Sequence, residues 1–212
     1  MKLMDQKVID FIQEVDSKNP APGGGSVSAL CGALGASLIR MVGHLTVEKK
    51  KFLALDSSIQ LEFKSTLSEL LMIKDQLIVL VDQDTQAFNL IMQALGLPKT
   101  NEEEVAVRKQ ALQDATLEAI MVPLKVATLS MSALNHLDTI LQNGNKSAIS
   151  DLGVAILTLI TGVEGACLNV LINLPGLEDQ IAANQYKNQA HELLKKAHLK
   201  KDELMPKIYT QL

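Results

Sequence analysis

Apolar residues recur every three or four positions along most of this chain, which is the spacing of amphipathic and buried α-helices. No segment alternates apolar and polar residues over the length of a β-strand, and no internal repeat or low-complexity linker interrupts the pattern. We therefore predict a single all-α domain, a helical bundle over residues 1–212. The predicted helices cover residues 8–15, 26–46, 57–95, 100 to about 143, 147–173 and 177–209.

Residues with special backbone preferences set the expected helix ends. Thr100, with Glu103 three residues later, predicts an N-cap with its capping box. Pro123 lies inside the segment that follows, and we expect it either to kink that helix or to begin a new one. Gly144, in the stretch QNGN, is expected to end the segment, and Pro175 is expected to close the helix after it.

Two of the predicted helices are apolar on almost every side, at residues 27–47 and 152–174. Each is long enough to span a bilayer, but Arg40 and Glu164 lie inside them, and a charge in lipid costs about 2.5–3.5 kcal/mol. We therefore predict buried helices of a soluble protein, with membrane spans as the alternative. Because one small bundle covers only one such helix comfortably, we also predict that an oligomer interface covers part of the second.

Composition narrows the class of protein further. Hydrophobic residues make up 47% of the 212 residues and aromatic residues only 3%, so the core must be aliphatic. The net charge of −4, without interleaved basic and aromatic residues, argues against nucleic-acid binding. The N-terminus has no apolar signal segment, and Cys31 and Cys167 lie in apolar runs without metal-binding or redox spacing, which favours a cytoplasmic protein with reduced thiols. The four histidines show no ligand spacing, and we predict no metal site.

The stretch VDQDTQAF places one acidic residue on an apolar helix face. Asp82 and Asp84 lie about 200° apart around the axis at ~100° per residue, so they cannot act as a local pair. Asp82 has polar neighbours and is predicted at the surface. Because burial raises the pKa of a carboxyl group, Asp84 is a candidate general acid; the alternative is a buried aspartate satisfied by a hydroxyl or a backbone group. The helical neighbours of Asp84 are Leu77, Leu80, Val81, Ala87, Phe88 and Ile91.

The second apolar helix carries small residues and amides along one side. Such a side permits close approach of another helix or of a ligand, and the alternative is tight helix packing with paired amides. Glu164 faces a different side of this helix and needs a partner that the sequence does not identify. The small and amide positions are Gly162, Gly165, Ala166, Asn169 and Asn173.

The first apolar helix follows a glycine-rich turn made of Pro22, Gly23, Gly24, Gly25 and Ser26. Such a turn exposes backbone N–H groups at a helix N-terminus and lets a flat ligand approach the backbone. The pattern is not Gly-x-Gly-x-x-Gly and follows no strand, so it is not a dinucleotide fingerprint. We interpret it as a shaped binding surface, with a tight turn between two helices as the alternative.

The stretch VEKKKF interrupts the helical pattern directly after that helix and contains Lys49, Lys50 and Lys51. A run of like charges is usually a solvated turn. The alternative is a contact for the anionic tail of a ligand.

Six motifs occur in order along the chain: PAPGGGS (20–26), MVGHLT (41–46), VDQDTQAF (81–88), LPK (97–99), GNKSAISDL (144–152) and NVLINL (169–174). With these motifs, the sequence resembles the formiminotetrahydrofolate cyclodeaminase / methenyltetrahydrofolate cyclohydrolase family over essentially its whole length. One departure is Glu48, where relatives often have a glycine before the basic run.

The resemblance implies an all-helical, at least dimeric enzyme that binds tetrahydrofolate derivatives in a groove lined by the glycine-rich loop. The folate is then the substrate, and no cofactor is expected. The resemblance also implies that Asp84 is the proton donor. The residues it suggests for substrate binding are Asn145, Ser150, Asp151, Asn169 and the turn formed by Pro22, Gly23, Gly24, Gly25 and Ser26.

We therefore expect a cytoplasmic, homodimeric enzyme of one-carbon metabolism that binds neither nucleic acid nor membranes. The expected reaction converts 5-formiminotetrahydrofolate to 5,10-methenyltetrahydrofolate and ammonia. The first alternative is hydrolysis of 5,10-methenyltetrahydrofolate to 10-formyltetrahydrofolate. The second is a helical folate-binding protein without catalysis.

Overall fold

The computed structural model describes residues 2–212 and confirms the all-α prediction, since these residues form helices and no strand. Three short 3₁₀ turns cover Leu3–Asp5, Lys146–Ala148 and Leu174–Gly176. The α-helices of the described chain are α1 (Val8–Val15), α2 (Gly24–Val47), α3 (Lys50–Leu53), α4 (Ser57–Leu95), α5 (Glu102–Asn135), α6 (Leu137–Asn143), α7 (Ile149–Asn173) and α8 (Gln180–Tyr209).

The predicted bounds of α1 and α4 agree with the structure, whereas α2 begins two residues earlier than predicted, inside the glycine run. Helix α8 begins three residues later than predicted, because Asp179 caps it. The Asp179 carboxylate accepts the N–H groups of Ile181 and Ala182, each at 3.0 Å. Capping groups of this kind satisfy the N–H groups that a helix leaves unpaired in its first turn.

The predicted capping box at the start of α5 is wrong by one residue. The N-cap is Asn101, whose side-chain oxygen accepts the Glu104 N–H at 2.9 Å. Thr100 lies one position further out and donates its N–H and its hydroxyl to the Glu104 carboxylate at 2.8 and 2.6 Å. Asparagine caps as well as threonine does, so the sequence alone leaves the register open.

Pro123 does not begin a new helix, because α5 runs through it from Glu102 to Asn135. A proline has no N–H, so the carbonyl of Ala119, four residues earlier, lacks its usual helical donor. The side chain of Asn173 in α7 supplies that donor, with Nδ2 2.9 Å from the Ala119 carbonyl oxygen. This contact joins α5 to the C-terminal end of α7. The segment then breaks at His136 rather than at Pro123, and Gly144 ends α6 as predicted.

The two most apolar helices, α2 and α7, pack side by side at the centre of the bundle, with α4, α5 and α8 around them. A Cβ built on Gly162 of α7 would lie 3.2 Å from the Cα of Gly32 in α2 and 2.8 Å from the Ser130 hydroxyl of α5. Helices α2 and α7 therefore cross almost in backbone contact, with the Ser130 side chain of α5 packed against the crossing. Three helical segments are long and apolar enough to span a membrane, but half or more of each apolar window is buried inside the bundle.

The outer sides of α2 and α7 remain exposed and apolar. In each helix the exposed residues follow the spacing of a single helical face. The predicted oligomer interface is not tested by a single chain and stays a prediction. The exposed residues are Leu34, Met41 and Leu45 in α2 and Val154, Leu157, Leu168 and Ile172 in α7.

We expect the contact between Asn173 and the Ala119 carbonyl to matter because Pro123 is present. Asn173→Ala should lower the free energy of unfolding by about 1–3 kcal/mol, the cost of an unsatisfied buried polar group. In a Pro123→Ala background the new backbone N–H can pair with Ala119, and the loss should shrink. A double-mutant cycle in urea measures this coupling. An equal loss in both backgrounds would contradict the assignment.

Candidate active site

A cleft of about 230 Å³ lies where the N-terminus of α2 meets the middle of α4 and the C-terminal end of α7. The loop before α2 forms one wall and Ala119 of α5 contributes to another. One ionisable side chain, Asp84, faces this cleft. The remaining lining residues are Pro20, Ala21, Gly23, Gly24, Gly25, Ala87, Phe88, Ile91, Ala119, Asn169, Ile172 and Asn173.

The glycines allow the backbone of α2 to lie directly against polar side chains from two other helices. A Cβ on Gly25 would come within 2.6 Å of Asp84 Oδ2 and still closer to Oδ1, so no side chain fits there. A Cβ on Gly24 would lie 3.3 Å from the amide nitrogen of Asn169. Gly23, at the N-cap, has more room. The glycine run therefore serves close approach within the cleft as well as the turn.

Asp84 is held by Ser26 in the first turn of α2. The Ser26 hydroxyl lies 3.0 Å from Asp84 Oδ2, and also 2.9 Å from the Val81 carbonyl oxygen and 3.2 Å from the Thr85 hydroxyl. The hydroxyl partner is what the buried-aspartate alternative expects, and the position at the cleft is what the general-acid interpretation expects. The surroundings of Asp84 are therefore consistent with both.

Burial raises the pKa of Asp84, and hydrogen bonds from the Ser26 side chain and backbone N–H partly oppose that rise. The positive end of α2 acts in the same direction as Ser26, because a helix N-terminus stabilises negative charge. The balance still favours the protonated form more than in a solvated aspartate. Asp84 is thus a carboxyl group that retains its proton to higher pH than usual.

The Ser26 hydroxyl can serve both protonation states of Asp84. It has one hydrogen and two acceptor lone pairs. When Asp84 is ionised, the hydroxyl can donate to Oδ2; when Asp84 is protonated, the hydroxyl can accept from it and donate to the Val81 carbonyl 2.9 Å away. The change of charge therefore needs a hydroxyl rotation and no movement of the backbone.

Asn169 provides the second polar group of the cleft. Its amide nitrogen donates to the Gly165 carbonyl at 2.8 Å, while its side-chain oxygen has no hydrogen-bond partner among residues 2–212. Asn173, one turn further along α7, donates to the carbonyls of Asn169 and Ala119. Each of the two interpretations of the amide side of α7 therefore holds for one residue. Asn173 is paired within the bundle, as tight helix packing requires, whereas Asn169 has a free side-chain oxygen at the cleft, where a ligand could approach.

The structure brings together only part of the predicted site. Pro22 is buried beside the cleft, whereas Asn145, Ser150 and Asp151 do not line it. The N–H of Asn145 donates to the Thr46 hydroxyl at 2.9 Å, and Thr46 lies 22 residues along α2 from Gly24. At ~1.5 Å per residue, that separation is about 33 Å. Substrate binding by these residues and by the glycine turn stays a prediction.

The structure corrects the interpretation of one acidic residue and completes that of another. Asp82 is half-buried rather than a surface residue, and its carboxylate accepts the N–H of Leu3 at 2.6 Å, which attaches the N-terminal segment to α4. Glu164 has the partner that the sequence left open, since His198 Nε2 of α8 lies 2.9 Å from its carboxylate. Neither residue lines the cleft.

Several cleft residues carried a weak signal in the sequence or none. Phe88 and Ile91 follow Asp84 by four and seven positions, so helical spacing places them on its face. Ile172 lies among the residues of the amide-bearing helix end. Ala119 reaches the cleft only because α5 packs against α7, and a lone alanine in an apolar helix indicates nothing by itself.

The chain matches the model of the formiminotransferase-cyclodeaminase family over residues 7–192, and it belongs to this family through the cyclodeaminase domain. It is 33% identical to methenyltetrahydrofolate cyclohydrolase of Methylorubrum extorquens over 91% of each chain. It is 39% identical to formimidoyltransferase-cyclodeaminase of Rattus norvegicus over 92% of this chain, which spans only 35% of that longer protein.

The fold agrees with that of formiminotetrahydrofolate cyclodeaminase from Thermotoga maritima. The TM-score is 0.74 at 24% identity, and the match covers 98% of this chain and 96% of the other. At that identity the likeness concerns the fold alone. The sequence matches make this chain an enzyme of folate one-carbon metabolism, in the family that includes cyclodeaminases and cyclohydrolases, and they favour catalysis over the alternative of a folate-binding protein without it.

We expect Gly25→Ala to reduce turnover of the folate substrate roughly 10²-fold, the cost of displacing a reacting group by about 1 Å. The added Cβ overlaps the Asp84 carboxyl group, which must move. Initial rates measure the effect, and circular dichroism verifies that the variant folds. Gly96→Ala is the matched control, because a Cβ there meets only ordinary contacts at the far end of α4. Unchanged rates in a folded Gly25→Ala protein would exclude the need for this close approach.

Proposed function

We propose that this enzyme is a formiminotetrahydrofolate cyclodeaminase in which Asp84 is the general acid. The observation that carries the proposal is a carboxyl group with a raised pKa, bordering a cleft with both apolar and polar walls and hydrogen-bonded to a hydroxyl that suits both its charge states. Perturbed carboxyl groups in clefts are typical of catalytic acids and bases.

The reaction requires that acid at one step. N10 of 5-formiminotetrahydrofolate attacks the formimino carbon, and the N10 proton passes to the imine nitrogen as the five-membered ring closes. The resulting tetrahedral carbon carries an amino group, which cannot leave as an amide anion. Asp84 donates a proton to this nitrogen, the C–N bond breaks, and ammonia departs to leave the 5,10-methenyl cation and an Asp84 carboxylate. A positioned acid of this kind contributes about 10²–10⁴-fold to the rate.

The residues around Asp84 are suited to orienting a flat folate ring. The backbone of Gly24 and Gly25 offers a surface without side chains, and Phe88 and Ile91 supply apolar walls one and two turns from Asp84. The free side-chain oxygen of Asn169 can accept a hydrogen bond from a ring N–H. Correct placement of N5 and N10 is itself a large part of ring-closure catalysis.

Cyclohydrolase activity is the second candidate, and the match to the Methylorubrum extorquens enzyme over 91% of both chains favours it. In that reaction water adds to the methenyl carbon and Asp84 as carboxylate accepts one of its protons, which leaves a neutral hydroxyl-bearing tetrahedral carbon. Asp84 returns this proton to N5, the C–N5 bond breaks, and the hydroxyl group loses its remaining proton to solvent as it becomes the carbonyl of the N10-formyl group. Both reactions pass through a tetrahedral carbon between N5 and N10. Rates with 5-formimino- and with 5,10-methenyltetrahydrofolate, measured side by side, distinguish them.

We expect Asp84→Asn to lower kcat by about 10²–10⁴-fold while folate binding changes little, because the amide keeps the shape of the carboxyl group but has no acidic proton to transfer. The near-ultraviolet absorbance of the methenyl product reports turnover, and equilibrium binding of the folate provides the control. Full activity of Asp84→Asn with either substrate would refute the assignment.

The pH dependence adds a second measurement. Cyclodeaminase kcat should fall as pH rises through the raised pKa of Asp84, because the acid is then ionised before it can donate. Ser26 lowers that pKa by stabilising the carboxylate, so Ser26→Ala should move the alkaline limb of the profile to higher pH. A limb that stays in place in Ser26→Ala would assign it to another group.

We also propose that the enzyme is a soluble, cytoplasmic homodimer whose chains meet through the exposed apolar sides of α2 and α7. Leu34 is 50% exposed and Leu168 is 66% exposed on this surface.

The size of the Asp84 cleft also favours a dimer. Its volume of about 230 Å³ lies below the ~300–1,000 Å³ typical of small-molecule sites, so a partner chain could complete it. A second copy placed antiparallel would bring the end that carries Asn145 and Asp151 close to the partner's cleft, and would let these residues contribute to substrate binding.

Leu34→Glu should convert the dimer to a monomer in sedimentation velocity, because it buries a carboxylate in an apolar interface. Leu61→Glu is the matched control: Leu61 is 72% exposed on α4, away from this surface, and its substitution should leave the sedimentation coefficient unchanged. A wild-type protein that sediments as a monomer would refute the proposal outright.

A further inference from the structure

A second cavity, larger than the Asp84 cleft, lies at the opposite end of α2. Its volume is about 490 Å³, against about 230 Å³ for the cleft. It is formed where α2 ends, where α3 begins and where the chain passes from α6 into α7. The lining residues are Thr46, Lys49, Lys51, Phe52, Leu55, Gln142, Asn143, Gly144, Asn145 and Lys146.

The charge of this cavity is entirely positive. Lys49, Lys51 and Lys146 line it, and none of the lining residues is acidic. The Lys146 ammonium is held 2.6 Å from the carbonyl of Leu141, whereas the ammonium groups of Lys49 and Lys51 form no ion pair or hydrogen bond among the residues that the structure describes. Several ammonium groups around one concave space repel one another and attract an anion.

The uncharged polar side chains of the cavity supply both donors and acceptors. Asn143 donates its amide N–H to the Thr139 carbonyl at 3.5 Å, which leaves its side-chain oxygen as an acceptor, whereas Asn145 supplies a donor. The Asn145 side-chain oxygen already accepts the Ser147 N–H at 3.1 Å, which leaves its NH₂ group free, and the Gln142 amide is exposed. The Thr46 hydroxyl is occupied, since it donates to the Val42 carbonyl and accepts from the Asn145 N–H. An anion entering here therefore meets N–H donors from lysine and amide groups.

The floor of the cavity is apolar and fixed. Phe52 is buried, with its ring centroid 4.9 Å from that of Phe63 in α4, and Leu55 lies beside it. The combination suits an organic anion with an apolar portion better than a simple inorganic ion.

We propose that this cavity is a carboxylate-binding site, distinct within one chain from the Asp84 cleft. The ligand is an organic carboxylate whose charges contact Lys49 and Lys51 and whose apolar part lies against Leu55, beside the buried ring of Phe52. Two sources have this chemistry: the glutamate carboxylates of a folate held in the cleft of a partner copy, or a free organic acid. The first source rests on the proposed function and dimer, and the second does not.

The test compares the wild-type enzyme with Lys49→Gln/Lys51→Gln. Its matched control is Lys195→Gln/Lys196→Gln, which removes the same charge from exposed positions on α8 that line neither cavity. Two measurements are made on each protein: citrate binding by calorimetry, and KM and kcat for a glutamate-bearing folate substrate and for its pteroate analogue without glutamate.

If the source is the folate, the lysine variant should raise KM for the glutamate-bearing substrate by about tenfold or more, with kcat and the pteroate KM unchanged. If the source is a free acid, citrate binding should weaken by a similar factor while both KM values stay at the wild-type level. The control variant should match the wild type in both measurements.

The proposal is overturned if citrate binds the lysine variant as it binds the wild type, or binds neither, and both KM values are unchanged. An enzyme inactive on folates but with lysine-dependent citrate binding would contradict the proposed function and leave the carboxylate site standing. The two hypotheses therefore fail separately.

Discussion

The contact between the first turn of α2 and the carboxyl group of Asp84 constrains the rest of the candidate site. It requires a residue without a side chain at Gly25, because a Cβ would overlap the carboxyl oxygens. It places the Ser26 hydroxyl and the positive helix end on a half-buried acid, where they moderate the effect of burial without cancelling it. The pKa of Asp84 is thus set by two opposing effects at one helix junction.

Local rules predicted the features that depend on one helix at a time. The spacing of three, four and seven residues identified the apolar face around Asp84, because that geometry needs no knowledge of neighbouring helices. Helix ends were predicted less well. Asn101 and Thr100 are both good caps, and only the three-dimensional structure shows that Asn101 is the one whose side chain meets the helix.

Features that depend on contacts between two helices could not be predicted from the sequence, because helical spacing does not show which helices pack together. Pro123 was expected either to kink its helix or to begin a new one; no new helix begins there, because α5 continues through the proline and the Asn173 side chain replaces the missing donor. Ala119 borders the cleft for the same reason, since α5 and α7 are joined there. The sequence resemblance also grouped Asn145, Ser150 and Asp151 with Asp84, whereas within one chain the length of α2 separates them.

That length gives α2 a further property. The helix is continuous over 24 residues, about 36 Å at ~1.5 Å per residue, and it has the acid at its first turn and the lysine cavity at its last. Adding or deleting one residue within it would turn one end by ~100° relative to the other and would misalign Gly25 or Thr46. The length of α2 therefore fixes both the distance and the relative rotation between its two ends. Among related proteins, insertions and deletions should occur in the loops on either side of this helix rather than within it.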